Sequence, residues 1–371
     1  MTTTKKTDLI LLGTVTILLT FGALIIASVS ASLSQIRFGT TYYYLNHQLF
    51  FGLIPGIILG FTAYKINLAL IKKWAPLLFL FNIIVLILVF VPKIGLSAGG
   101  ATRWLNLGPV SFQPSELLKL TFILYLASWL SSRIENKNVK KLPPNFSQTL
   151  VAFLIAILVV GLLLFLQPDV STFVIIISVA VIVYFLAGMP FWHMFLFFLI
   201  GAVSMLILTP LAPYRFKRIL VFLKPETDPM GIGYQIKQAL ISIGSGGIFG
   251  LGLGVSGQKS GYLPYSMSDS IFAVIAEETG FIGSAVLIVL FLIFLWQGFK
   301  IAKNSNDKFS KLLAFGITSW ILMQTFINIG SMTGILPLVG IPLPFFSYGG
   351  SALLIELVAV GLLLNISKQK I

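Results

Sequence analysis

One carboxylate, Asp269, closes a polar segment, 211–270, that also carries Arg215, Lys217, Arg218, Lys224, Lys237 and Lys259. Against Glu226, Asp228 and Asp269, these six cations leave the segment a net charge of +3. A positioned carboxylate can take a proton from a hydroxyl, which contributes about 10²–10⁴ in rate. Arginine's planar fork suits phosphate or pyrophosphate. Acid and cations together fit chemistry on an anionic, membrane-linked substrate. Two plainer roles compete with that reading. Asp269 precedes an apolar run starting at Ile271, so it could be a helix N-cap, and the cations could be drawn to anionic headgroups.

The chain holds eleven carboxylates in all. Asp8, Glu135 and Asp307 lie in flanking segments and are expected to be solvated. Glu116 and Lys119 follow Pro114, a favoured first residue of a helix, and their i,i+3 spacing puts both on one face. Charges in a span are costly and usually paired, so this pair either orients its helix or faces a substrate cavity. Glu277 and Glu278 are adjacent and point apart, so one is expected to meet a partner and the other water or headgroups. Glu356 falls inside an apolar run, as a buried partner or a cavity lining. Arg103, in a short segment before Pro114, is a further cation for an anionic group.

Eight glycines lie between Gly244 and Gly261, and Gly252, Gly254 and Gly257 spell GxGxxG. The dinucleotide reading needs a βαβ unit, which two flanking spans do not allow. Surface packing or close approach of backbone to a ligand remains. Cysteine is absent, which excludes disulfides and thiolate chemistry. His47 and His193 are too few and too far apart for a His-based metal site and read as packing or interfacial residues.

These groups must be positioned by membrane helices. The 371 residues are 57% hydrophobic and 10% charged, with mean hydropathy +1.00, where a soluble domain carries about 25% charge. Spans are expected near 9–30, 44–64, 75–91, 114–132, 148–166, 170–187, 190–210, 271–299, 310–330 and 350–366, each of about 20 mostly apolar residues. The fold class is therefore all-α and polytopic, with ten helices in a single integral domain, 1–371, and 211–270 as one long extracytoplasmic loop between the seventh and eighth. With the N-terminus inside, fifteen of the 25 basic residues fall in the cytoplasm. That obeys the positive-inside rule, from which long loops are exempt. The net charge of +14 thus reflects orientation, and nucleic acid is not an expected partner. The first span is retained rather than cleaved as a signal peptide.

Several strings together resemble one family. They are GATRWLNLGPVSFQPSELLKL (100–120), QPDVST (167–172), YRFKRI (214–219), GYQIKQALISIGSGGIFGLGLGVSGQKSGYLP (233–264), SDSIFAVIAEETG (268–280) and GILPLVGIPLPFFSYGGSALL (334–354). They are similar to the SEDS proteins, the RodA/FtsW group, with a lean toward RodA. The resemblance implies a peptidoglycan glycosyltransferase that polymerises lipid II at the outer face of the bacterial cytoplasmic membrane, with both termini cytoplasmic and a class B penicillin-binding protein as crosslinking partner. The family's catalytic aspartate corresponds to Asp269, and its paired Glu and Lys to Glu116 and Lys119. Arg103, Arg215 and Lys259 are expected to bind the leaving pyrophosphate, alone or with a divalent cation, Mg or Mn. Many relatives carry Pro-Glu and His-Thr-Asp-Phe where this chain reads Pro264-Tyr265-Ser266-Met267-Ser268-Asp269-Ser270. The aspartate is kept, while the acidic residue and the His are not. The alternative to polymerisation is a flippase for lipid-linked precursors, which needs polar groups near the bilayer midplane.

Overall fold

The computed structural model describes residues 7–98, 100–108, 110–135, 146–197, 213–257 and 261–368, with 199 and 201 besides. In chain order these form α1 (Leu9–Phe38), α2 (Tyr43–Lys65, with a π-helical turn at Leu49–Leu53) and α3 (Leu68–Leu88). Then come strands β1 (Gly95–Ala98), β2 (Ala101–Asn106) and β3 (Ser111–Phe112), followed by α4 (Pro114–Glu135), α5 (Phe146–Leu166) and α6 (Val170–Leu186). The remainder is α7 (Pro213–Leu223), α8 (Ile232–Ser245), α9 (Ile271–Lys303), α10 (Lys308–Met332) and α11 (Gly350–Ser367). Among the described residues seven helices, α1, α2, α3, α5, α9, α10 and α11, are long and apolar enough to cross a membrane. The 17-residue α6 is apolar but shorter. Most of the expected seventh span, 190–210, lies outside the described residues.

Local sequence explains where the helices start and how closely they pack. Asp8, Asn67, Asp169 and Asp307 accept backbone N–H groups as N-caps of α1, α3, α6 and α10, satisfying donors a helix start leaves open. Asp169 also accepts from Ser115 Oγ (2.9 Å), tying the start of α6 to the start of α4. Helix α10 packs against α4, α6 and α9 at the centre of the bundle. Helix α2 lies against α11 through Gly52, Gly56 and Gly60. A Cβ on Gly60 would stand 2.7 Å from the Leu357 carbonyl, so the small residues set the approach of the two backbones.

Two expectations are corrected. The stretch before Pro114 is not a plain loop but an antiparallel sheet, ordered β1-β2-β3, with Leu105 opposite both Gly95 and Phe112. Its strands are too short to stand out as alternation. The segment 211–270 is not one hydrated loop either. It contains α7 and α8, and its glycine-rich part exposes Ile248, Phe249, Leu251, Leu253 and Val255.

That glycine-rich part repairs a break in α9. Gly280 stands at φ 68°, ψ −165°, outside helical space. The break would orphan carbonyls on one side and N–H groups on the other, which is untenable in lipid. The Glu277 and Glu278 carbonyls instead accept the N–H groups of Leu251 and Gly252, each at 3.0 Å, while Phe281 N and Ile282 N donate to Gly247 O (2.9 Å) and Ile248 O (3.1 Å). A Cβ on Gly250, at φ 82°, would lie 2.2 Å from the Glu278 carbonyl. Neither Glu277 nor Glu278 reaches water or headgroups, as one was expected to. Both are buried. The Glu277 carboxylate accepts from Ser242 Oγ (2.6 Å), Ser256 Oγ (2.6 Å) and Gly257 N (3.1 Å), and that of Glu278 from Ser28 Oγ of α1 (2.7 Å).

Candidate active site

Asp269 sits immediately before α9 but does not cap it. The N-cap is Ser270, whose side chain makes no capping bond. The backbone around Asp269 is held from outside. Its carbonyl accepts from Asn328 Nδ2 of α10 (2.8 Å), that of Ser268 from Ser347 Oγ (2.7 Å), and that of Met267 from the Tyr348 N–H (2.7 Å). These bonds pin the backbone and do not engage the carboxylate.

Asp269 is half-buried. Burial pushes its carboxyl up from the ordinary 3.8 to about 6, with Arg218 and then Arg103 pulling it back down. A carboxylate in that range is ionised at neutral pH and still basic enough to take a proton. Gly340 packs beside it: a Cβ there would lie 3.2 Å from Asp269 Oδ2 and 3.9 Å from Arg218 Nη2. Arg218, on α7, donates from Nη1 to the Val339 carbonyl (3.0 Å). Arg103, on β2, donates from Nε to Gln167 O (3.1 Å) and from Nη2 to Pro168 O. The Arg218 guanidinium thus stands beside the Asp269 carboxylate at Gly340, while Arg103, from a distant part of the chain, acts on it through its charge.

Glu116 and Lys119 form a buried ion pair in α4 (2.8 Å). Lys119 also donates to Gln324 Oε1 (2.9 Å) and lies over the Trp320 ring. The void beside Lys119 measures about 10 Å³. Among the described residues no hydrogen bond or ion pair links this pair directly to Asp269. Arg215 lies one turn before Arg218 on α7, with its side chain outside the described residues, as Lys259 is altogether.

The family model named FTSW_RODA_SPOVE, described as "Cell cycle protein", matches residues 8–371. The chain belongs to the FtsW/RodA/SpoVE family. It is 39% identical over 368 residues to "Stage V sporulation protein E" of Bacillus subtilis, covering 99% of each chain. It is 40% identical over 359 residues to "Probable peptidoglycan glycosyltransferase FtsW" of Coxiella burnetii, covering 95% of this chain and 94% of that one. Among solved structures it superposes on a chain from "Structural coordination of polymerization and crosslinking by a peptidoglycan synthase complex", with TM-score 0.80, 28% identity and 97% of each chain covered. Rod shape determining protein RodA of Thermus thermophilus gives TM-score 0.70 and 26% identity, over 98% of this chain and 97% of that one. The RodA lean draws no support from these identities.

In this FtsW/RodA/SpoVE chain, the residues that sequence reasoning passed over are Arg218, Asn328 and Gly340. Arg218 was visible as one of six cations in 211–270, but residue type alone could not rank it above Arg215. Asn328 and Gly340 come from segments remote in sequence and gave no signal.

Proposed function

We propose that this chain is a peptidoglycan glycosyltransferase that polymerises lipid II into glycan strands. A sugar hydroxyl of one lipid-linked disaccharide attacks the anomeric carbon of another. The new C–O bond forms as the bond to the donor's lipid pyrophosphate breaks, with inversion. Asp269 takes the hydroxyl proton, and the departing pyrophosphate keeps the bonding electron pair. Arg218 and Arg103 stand where that charge develops, and such electrostatic stabilisation is worth about 10²–10³ in rate per group. Arg215 and Lys259 are assigned to the same anion by type and position. Glu116 and Lys119, being buried and bonded to each other, serve by orienting α4. Among the described residues no three of His, Cys, Asp and Glu come together as metal ligands. Asp269 is the carboxylate that would hold a Mg or Mn ion, which would supply positive charge to the departing pyrophosphate.

The observation that carries this reading is the half-buried Asp269 with Arg218 beside it at Gly340, where burial raises the carboxyl to about 6. The chain is proposed to have ten spans in one domain, both termini in the cytoplasm, Asp269 at the outer face of a bacterial cytoplasmic membrane, and a class B penicillin-binding protein as partner. A flippase would need a polar path through the bundle. The polar cluster at Lys119 is instead bonded internally, and the mostly apolar void beside it has room for no more than about one water. The test is polymer formation from lipid II by purified protein with its class B partner, wild type against Asp269→Asn. Polymer from wild type alone upholds the reading. Polymer from both moves the base elsewhere, and polymer from neither favours the flippase.

A further inference from the structure

Glu356 is buried in the middle of α11, and the proposed reaction makes no use of it. Its Oε2 accepts the backbone N–H of Phe345 (2.8 Å), and its Oε1 faces Gln324 Nε2 at 3.5 Å. Gln324 also donates to the Pro342 carbonyl (3.1 Å), and its Oε1 accepts from Lys119 Nζ (2.9 Å) and Trp320 Nε1 (2.8 Å). Through Gln324 the buried Glu116–Lys119 pair and Glu356 form one network, and its output is two bonds to a non-helical segment, 341–349.

That segment needs the support. Phe345 is a buried, bulky residue at φ 66°, in the left-handed region that such side chains avoid. Its N–H has a partner in Glu356. The turn is closed by Leu343 N donating to Ser347 Oγ (2.7 Å), and Gln48 of α2 accepts from Gly349 N (3.0 Å). The same segment grips the backbone of the proposed base, since Ser347 Oγ donates to Ser268 O and Tyr348 N to Met267 O, both at 2.7 Å. Asn328 bridges the two directly, donating to Ile341 O (2.7 Å) and Asp269 O (2.8 Å).

We propose that Glu356 is a positioning residue for Asp269: by accepting the Phe345 N–H it fixes segment 341–349, whose Ser347 and Tyr348 hold the backbone of Ser268 and Met267, next to Asp269. The carboxylate never touches substrate. The inference rests on the reading of Asp269 as the base.

The test is steady-state polymerisation of lipid II by the full chain with its class B partner, for wild type, Asp269→Asn, Glu356→Met, Glu356→Gln and Ser347→Ala. Methionine keeps the length of the side chain and removes the acceptor. Glutamine keeps an oxygen for the Phe345 N–H. Glu356→Met is expected to lower kcat about 10–100-fold, the scale of a misplacement of about 1 Å, with KM for lipid II changed by less than about threefold. Glu356→Gln is expected to recover most of that loss. Ser347→Ala cuts the grip on Ser268 without touching Glu356 and is expected to repeat the fall in kcat. A normal kcat in Glu356→Met or Ser347→Ala overturns the proposal, as does a Glu356→Gln protein as impaired as the methionine variant. Should Glu356→Met fail to fold, the other two variants decide. An Asp269→Asn protein that polymerises normally overturns the reading of the base, and this inference with it. A dead Asp269→Asn beside a normal Ser347→Ala overturns this inference alone.

Discussion

Replacing Asp269 by Asn should abolish polymerisation and, at neutral pH, make the protein more stable. The unfolded chain ionises this carboxyl near its ordinary 3.8, whereas burial raises it to about 6 in the folded protein. The folded state therefore holds the proton more tightly. The stability it contributes is fully present below 3.8 and is lost as pH rises through 6. At 1.36 kcal/mol per pH unit, the difference between those values sets a ceiling of about 3 kcal/mol. Asn has no charge to desolvate and escapes the penalty. Thermal melting in detergent should show Asp269→Asn above wild type by on the order of 5 °C at pH 7.5, with the gap closing toward pH 4. Activity moves the other way: losing the base costs about 10²–10⁴, and wild-type kcat/KM should fall on the acid side of a limb near pH 6. A melting gap unchanged between pH 4 and 7.5, or a wild-type rate flat across pH 6, would refute the reasoning.

Three further outcomes follow from the same geometry. Arg218→Ala removes a charge that holds Asp269 down, so the acid limb of kcat/KM should move above pH 6 as the rate drops by about 10²–10³; an unmoved limb in a pH–rate series counts against the placement of Arg218. Gly250→Ala forces a Cβ to 2.2 Å from the Glu278 carbonyl at φ 82° and should cost about 3 kcal/mol or more, whereas Gly257→Ala, with nothing within 4 Å of its Cβ, should melt like wild type. Because the chain has no cysteine, Phe249→Cys gives a single labelling site. In liposomes it should resist a hydrophilic maleimide and, once labelled, be quenched by quenchers on lipid tails, while the exposed Lys224→Cys should react freely.

Hydropathy was enough for the bundle, because continuous apolar runs have one use in a chain of this charge. Asp269 and the Glu116–Lys119 pair were singled out through the resemblance of their motifs. What the sequence did not disclose depends on contacts between remote segments. Ser270 rather than Asp269 caps α9, a choice of one residue that propensity does not make. Arg218 stands out only because α7 brings it to Val339 and Gly340. Glu277 and Glu278 looked like one inward and one outward residue, because a continuous helix was assumed. The break at Gly280 and the loop folded over it bury both.

Ionisable and amide side chains in a membrane bundle are costly, and here most of the buried ones discharge the same duty. Glu277 receives Gly257 N and Ser256 of the glycine-rich segment and Ser242 of α8. Gln324, Asn328 and Glu356 supply the carbonyls or N–H groups of 341–345, and Gln167 reaches the Leu86 carbonyl at the end of α3. Each serves backbone groups at a helix end or beyond one, where lipid offers no substitute. Irregular backbone also carries Asp269 itself and Gly340, which sets it beside Arg218 of α7. The polar residues inside the spans need no conduit to explain them. They are what lets a helical bundle hold irregular backbone, and GxGxxG at residues 252–257 belongs to the same device rather than to any nucleotide.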